Sequence, residues 1–169
     1  MDYRPLVTFL DNLMENTSFK AIQATYDFRK RGDLPITPDG CFLGYRSVTK
    51  YWKDWRTKTV DNSIGATPFM ERKLCDDDSG VACSKGFHVG TLEYVKSFHW
   101  KEDGGHVIIV KVNPKDVVSV PADSHENKLR VNTYEVVGEY TQPLNNTVCE
   151  DYCDDCDGCE EFCDCEQCP

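Results

Sequence analysis

A chain of 169 residues, 40% of them hydrophobic, has room for one buried core of common domain size. Its formal charge of −10 is uneven: residues 149–169 hold nine acidic residues and no Lys or Arg, leaving −10 + 9 = −1 for residues 1–148. That balance excludes a basic nucleic-acid binder, and no apolar run reaches the ~18 residues that would mark a bilayer-spanning helix.

Leu6, Phe9, Leu10, Leu13 and Met14 recur at helical spacing behind Pro5, which predicts an amphipathic first helix over residues 5–15. A second, capped by Thr17 or Ser18 and stopped at Gly32, follows to about residue 31, and the two read as a helical hairpin. After the turn signal ITPDG, the run CFLGYRSV at 41–48 predicts a strand. Residues 49–83 are weakly periodic, which marks either an irregular functional segment or a misread element. A short helix over 91–99 is expected, capped by Thr91. Beyond it, HVIIVKV, DVVSVP and KLRVNTYEVVGEY predict three strands. Helices lead and strands dominate the end, so the fold class is α+β, an N-terminal helical hairpin packed on a mixed or antiparallel sheet.

The segments FLDNLMENTSFKA, ITPDGCFLGYRSV, DNSIGATPFMERKLCDDD, CSKGFHVGTLEYVKSF, VKVNPKDVVSVPAD and KLRVNTYEVV resemble, in order, the C-terminal module of the B-protein family of the rapid-lysis rII locus of T-even-like bacteriophages. The resemblance spans residues 9–140. It implies a phage accessory protein tied to escape from host exclusion and to lysis timing, with no assigned catalytic residues. Members of that family carry a further N-terminal region resembling a helix-turn-helix, which is not matched here, and the cysteine-rich end lies outside the family pattern.

Two constellations in residues 1–148 could carry chemistry. In CSKGFHVGT, Ser84, His88 and Thr91 stand beside Gly86 and Gly90, glycines that permit tight turns or close ligand approach, and a helix start at Thr91 could face a phosphate. The competing reading is a turn that merely caps the next helix. Arg46, His88, Tyr94 and Glu135 faintly resemble, in order and spacing, the NAD-binding residues of ADP-ribosyltransferase folds: a cation for pyrophosphate, a ring to stack, and a carboxylate for developing positive charge. Against this, Arg46 and Glu135 could pair structurally on neighbouring strands. CDDDSGVACS lacks the twelfth-position Glu of a calcium loop and reads as an acidic solvated loop. Cys75 and Cys83 read as buried or idle thiols, and YWKDWRTK as surface packing.

The final 21 residues hold seven cysteines, Cys149, Cys153, Cys156, Cys159, Cys163, Cys165 and Cys168. Pairs three residues apart (153/156, 156/159, 165/168) suit a shared zinc ion, with Cys153, Cys156, Cys159, Cys163, Cys165 and Cys168 as ligands. The segment has too few apolar residues for its own core, so metal, disulfide or disorder are its alternatives. The division is therefore a folded domain over 1–148 and an acidic tail over 149–169. The N-terminus has neither the basic start nor the long apolar stretch of a secretory signal, which places the expected setting in the host cytoplasm and makes the glycosylation matches at Asn16 and Asn145 fortuitous. The expected function is non-catalytic binding of a host or phage protein. The alternative is a nucleotide-directed transferase or sequestrant acting on a phosphate-bearing small molecule.

Overall fold

The computed structural model describes residues 2–97, 104–122 and 127–141. Ser18 starts the second helix by accepting the Ala21 N–H on its hydroxyl at 3.2 Å. This satisfies one of the donors that every helix start leaves unpaired. The helices are α1 (Arg4–Met14), α2 (Phe19–Arg31) and the short α3 (Leu92–Lys96), the last capped by the Thr91 side chain. Among the described residues six strands follow: β1 (Phe42–Val48), β2 (Phe87–Gly90), β3 (His106–Val112), β4 (Val117–Ser119), β5 (Lys128–Val131) and β6 (Glu135–Glu139). They form one sheet in the order β4-β5-β2-β1-β3-β6, every pairing antiparallel. The fold is therefore α+β. Among the described residues no helix is long and apolar enough to cross a membrane.

The last strand-like run, expected as one strand, is two. Asn132–Tyr134 interrupts it: Asn132 Nδ2 donates to the Met70 carbonyl at 3.3 Å and Thr133 Oγ1 to that of Pro68 at 2.9 Å, while buried Tyr134 donates its hydroxyl to Asn62 Oδ1. β5 and β6 then lie four places apart in the sheet. In a flat sheet that is about 19 Å at ~4.8 Å per strand, whereas four residue steps reach only about 14 Å. The sheet must curl, and the connection crosses it with the Tyr134 ring edge-on to Phe87 at 5.4 Å.

The core gathers on one face: Phe42 and Val48 of β1, Val89 of β2, Ile108, Val110 and Val112 of β3, and Leu129 and Val131 of β5, alternate positions that point to the same side of a sheet. Phe9, Leu13 and Phe28 of the helices join them, each fully buried aromatic or leucine contributing roughly 2–3 kcal/mol. α1 and α2 meet the sheet at its β4 end, α2 along β4 and α1 on the turn Pro114–Asp116, while α3 packs on β1. Asn16 between them is buried; its amide donates to the Pro114 and Val117 carbonyls and its oxygen accepts from Ser18 N–H and Arg72. Gly40, at φ +73°, lets the chain pass α1 so closely that a Cβ would stand 2.5 Å from the Thr8 carbonyl carbon.

The apolar face expected of α1 divides. Phe9 and Leu13 enter the core, but Leu6, Leu10 and Met14 are exposed, together with Val7 and Tyr3.

Candidate functional site

β1 and β2 share a single registered pair, Tyr45 opposite Gly90. Past it the strands are bridged by a side chain, Arg46 donating Nη1 to the His88 carbonyl at 2.6 Å. A cleft of about 380 Å³ opens there, between α3 and the irregular segment after β1. Arg46, Trp55, Arg56, His88, Tyr94 and Lys128 are among its walls. An adjoining hollow of about 730 Å³ shares Arg46, Arg56 and His88 and adds Ser84 and Gly86.

Arg46 stands on the core side of β1, its guanidinium carbon 5.9 Å from the Phe87 ring centre and 5.6 Å from that of Tyr134. Its Nε is buried with no hydrogen-bond partner among the described residues. Lys128 is buried, its ammonium 3.9 Å from Cys83 Sγ and 5.9 Å from the Tyr94 ring centre. Among the described residues the one acid in the wall, Asp54, is occupied: its carboxylate accepts the N–H groups of Thr57, Thr59 and Val60 and the Thr57 hydroxyl. Burial raises its pKa, but these hydrogen bonds outweigh burial and hold it below the ordinary carboxylate value. Among the described residues of the lining, Arg46, Arg56 and Lys128 against Asp54 give +3 − 1 = +2, on a chain of net −10. The walls also present rings (Tyr45, Trp55, His88, Tyr94). Cations beside aromatic faces suit a ligand with an anionic group and a planar ring.

Of the residues expected to act together, Arg46, His88, Gly90 and Tyr94 meet in this cleft, with Ser84 and Gly86 in the adjoining hollow. Thr91 serves α3, accepting the Tyr94 N–H at 3.3 Å. Glu135 stands apart on the edge strand β6, 2.9 Å from the Lys111 ammonium, and lines neither space. The four-residue arrangement expected around NAD is therefore not formed. Nor is Glu135 the structural partner of Arg46.

The glycines make room for the protein's own side chains. A Cβ on Gly86, at φ +134°, would lie 2.6 Å from Arg130 Cγ, and one on Gly90 2.6 Å from Tyr94 Cδ1. Arg130 is fully buried. It donates to the carbonyls of Asp76 (2.6 Å), Val81 (2.7 Å) and Asp78 (3.3 Å) and to Ser119 Oγ (3.1 Å), and its Nε reaches His88 Nε2 at 3.5 Å. The acidic loop 76–81 is thus held through its backbone, while Asp77 and Asp78 are exposed.

Trp55 and Arg56, expected as surface packing, and Cys83, expected as a buried or idle thiol, all line the cleft, and Cys83 is exposed. The signal was present in YWKDWRTK, where rings and cations interleave. Cys41 is buried, and burial pushes its thiol up to about 11. Among the described residues no group of three His, Cys, Asp or Glu is placed to hold a metal ion. The zinc ligands expected at Cys153, Cys156, Cys159, Cys163, Cys165 and Cys168 lie outside the described residues.

Residues 1–147 match the family model of bacteriophage T4 protein rIIB. Over 134 residues the chain is 40% identical to protein rIIB of Enterobacteria phage T4, the aligned part being 79% of this chain and 42% of that relative. The chain therefore spans less than half the length of that relative. No solved structure matches.

Proposed function

The chain belongs to the rIIB family of bacteriophage proteins, and from that premise we propose that it is a phage accessory protein that binds, without turning over, a phosphate-bearing small molecule of the nucleotide class. The observation that carries this reading is the convergence of Arg46, Arg56 and Lys128 with Tyr94, Trp55 and His88 around one concave space. Guanidinium and ammonium groups supply charge-assisted hydrogen bonds to phosphate oxygens, and the rings supply stacking for a base. A concave, ligand-sized space favours a small molecule over the flat contact of a protein partner. Binding is favoured over catalysis because, among the described residues, the one lining carboxylate, Asp54, already accepts several hydrogen bonds, and Glu135 is remote.

Calorimetric titration of the full chain with NAD, ADP-ribose, cyclic nucleotides and inorganic phosphate tests the proposal. Saturable heat with at least one nucleotide is expected, weakened roughly 10- to 100-fold by Lys128→Met, the scale of one lost charged hydrogen bond. Absence of heat with every compound would overturn ligand capture. Turnover of any of them would overturn the non-catalytic part.

A further inference from the structure

α1 exposes more apolar surface than a helix on a sheet needs to. Tyr3, Val7, Leu10 and Met14 follow one another at steps of four, three and four, with Leu6 beside them, and their exposures run from 41% at Leu10 and 55% at Val7 to 70% at Met14. Phe9 and Leu13 already supply the helix's contribution to the core, so this stripe is a second apolar face turned away from it. Steps of four and three are the seam of a paired helix.

From this stripe we infer that α1 is a self-association surface, and that its occupant is α1 of a second copy of the same chain, running antiparallel. A two-fold axis crossing the helix between Thr8 and Phe9 places Val7 opposite the second copy's Leu10, and Tyr3 opposite its Met14. The seam is then complementary to itself, which an isologous contact requires. Charge agrees with this register. Arg4, Asp11 and Glu15 stand at steps of seven and four along one flank of the stripe, and in an antiparallel pair each flank meets its own copy. Arg4 at the start of one helix therefore comes beside Asp11 and Glu15 at the end of the other. A parallel pair would turn this flank toward the opposite flank of the second copy, so Arg4 would not meet the second copy's Asp11 and Glu15. Arg4 now holds Asp2 in a fully exposed ion pair, which exchanges at little cost. Three turns of helix cover less than the roughly 1,200 Å² of a standard interface, so the association is weak and concentration-dependent.

Sedimentation equilibrium of the full chain in reductant, which prevents disulfide linkage through the tail, tests the inference from about 10 μM to about 1 mM. The mass is expected to climb from 19.3 kDa toward twice that value. Val7→Glu with Leu10→Glu should hold it at the monomer, as should Met14→Glu by itself, with unchanged far-ultraviolet circular dichroism showing that each remains folded. Asp11→Lys with Glu15→Lys should weaken association roughly tenfold, and adding Arg4→Glu should restore it. A monomer throughout the range, a dimer indifferent to the stripe substitutions, or no recovery on the charge exchange would overturn the inference.

Discussion

Arg130→Met replaces a fully buried guanidinium by an unbranched apolar side chain of similar length, and its cost follows from what the guanidinium holds. Two of its hydrogen bonds are short, to the Asp76 carbonyl at 2.6 Å and the Val81 carbonyl at 2.7 Å, and the contacts to Ser119 Oγ and the Asp78 carbonyl are longer. Hydrogen bonds to charged groups contribute about 1.5–3 kcal/mol each, so the short pair accounts for roughly 3–6 kcal/mol. Part of this is returned, because the substitution removes a desolvated charge, and exposed loop residues such as Asp77, Asp78 and Gly80 lie where freed carbonyls can meet water. The net destabilisation is about 2–4 kcal/mol. In a domain of this size each kcal/mol lowers Tm by roughly 3 °C, so thermal melting should fall by about 6–12 °C. Hydrogen exchange should show backbone amides of residues 76–81 losing protection, while β1 and β3 keep theirs. A Tm within about 2 °C of the parent, with the loop still protected, would refute the account of Arg130 as the clamp of that loop.

Gly86→Ala should destabilise by about 2–4 kcal/mol in the same melt, because it adds a Cβ 2.6 Å from Arg130 Cγ and does so at φ +134°. Asp54→Asn should cost about 1–2 kcal/mol at neutral pH. The lowered pKa of Asp54 makes its stabilisation complete above the unfolded carboxyl's 3.8 and lost as pH falls through the still lower folded value; the Asn variant should lack that step in an acid titration of Tm. For the tail we propose one or two Zn²⁺ per reduced chain through its closely spaced thiolates, measured by elemental analysis against a full chain whose seven tail cysteines are serine; equal metal in both would remove the proposal.

The legible parts of the fold were those where one side-chain period ruled. HVIIVKV and CFLGYRSV became β3 and β1 because β-branched and aromatic residues fit a pleated surface, and Thr91 capped α3 because a hydroxyl there can accept an amide of the first turn. Illegible parts depended on partners distant in sequence. KLRVNTYEVVGEY alternates almost without a break, yet Pro68 and Met70 compete for Asn132 and Thr133, and the chain leaves one side of the sheet for the other. The pattern of α1 gave the apolar positions correctly but not their destinations, since periodicity shows that a face is apolar without showing what covers it.

The site shows the same limit more sharply. Gly86 and Gly90 read as residues for tight turns or close ligand approach; they do mark close approach, but the groups that approach are Arg130 and Tyr94 of the chain itself. A glycine reports a missing Cβ and is silent about what fills the space. The positive charge at the cleft instead comes from residues with no shared period: Arg46 on a strand, Arg56 in an irregular segment organised around the Asp54 carboxylate, and Lys128 at the start of a strand far along the chain. Each is unremarkable alone in sequence, where a lone cation on a strand or loop is usually a solvated one. What distinguishes Lys128 is that antiparallel pairing puts it opposite Gly90 and Gly90 opposite Tyr45, so its buried ammonium lies on the Tyr45 face of the sheet, while Arg46, on the core face, reaches across to the His88 carbonyl. Cationic character at this cleft is thus a property of sheet register. A shift of one residue in the pairing of β2 with β5 would turn Lys128 to the other face and remove the cleft's buried cation while leaving composition and net charge unchanged.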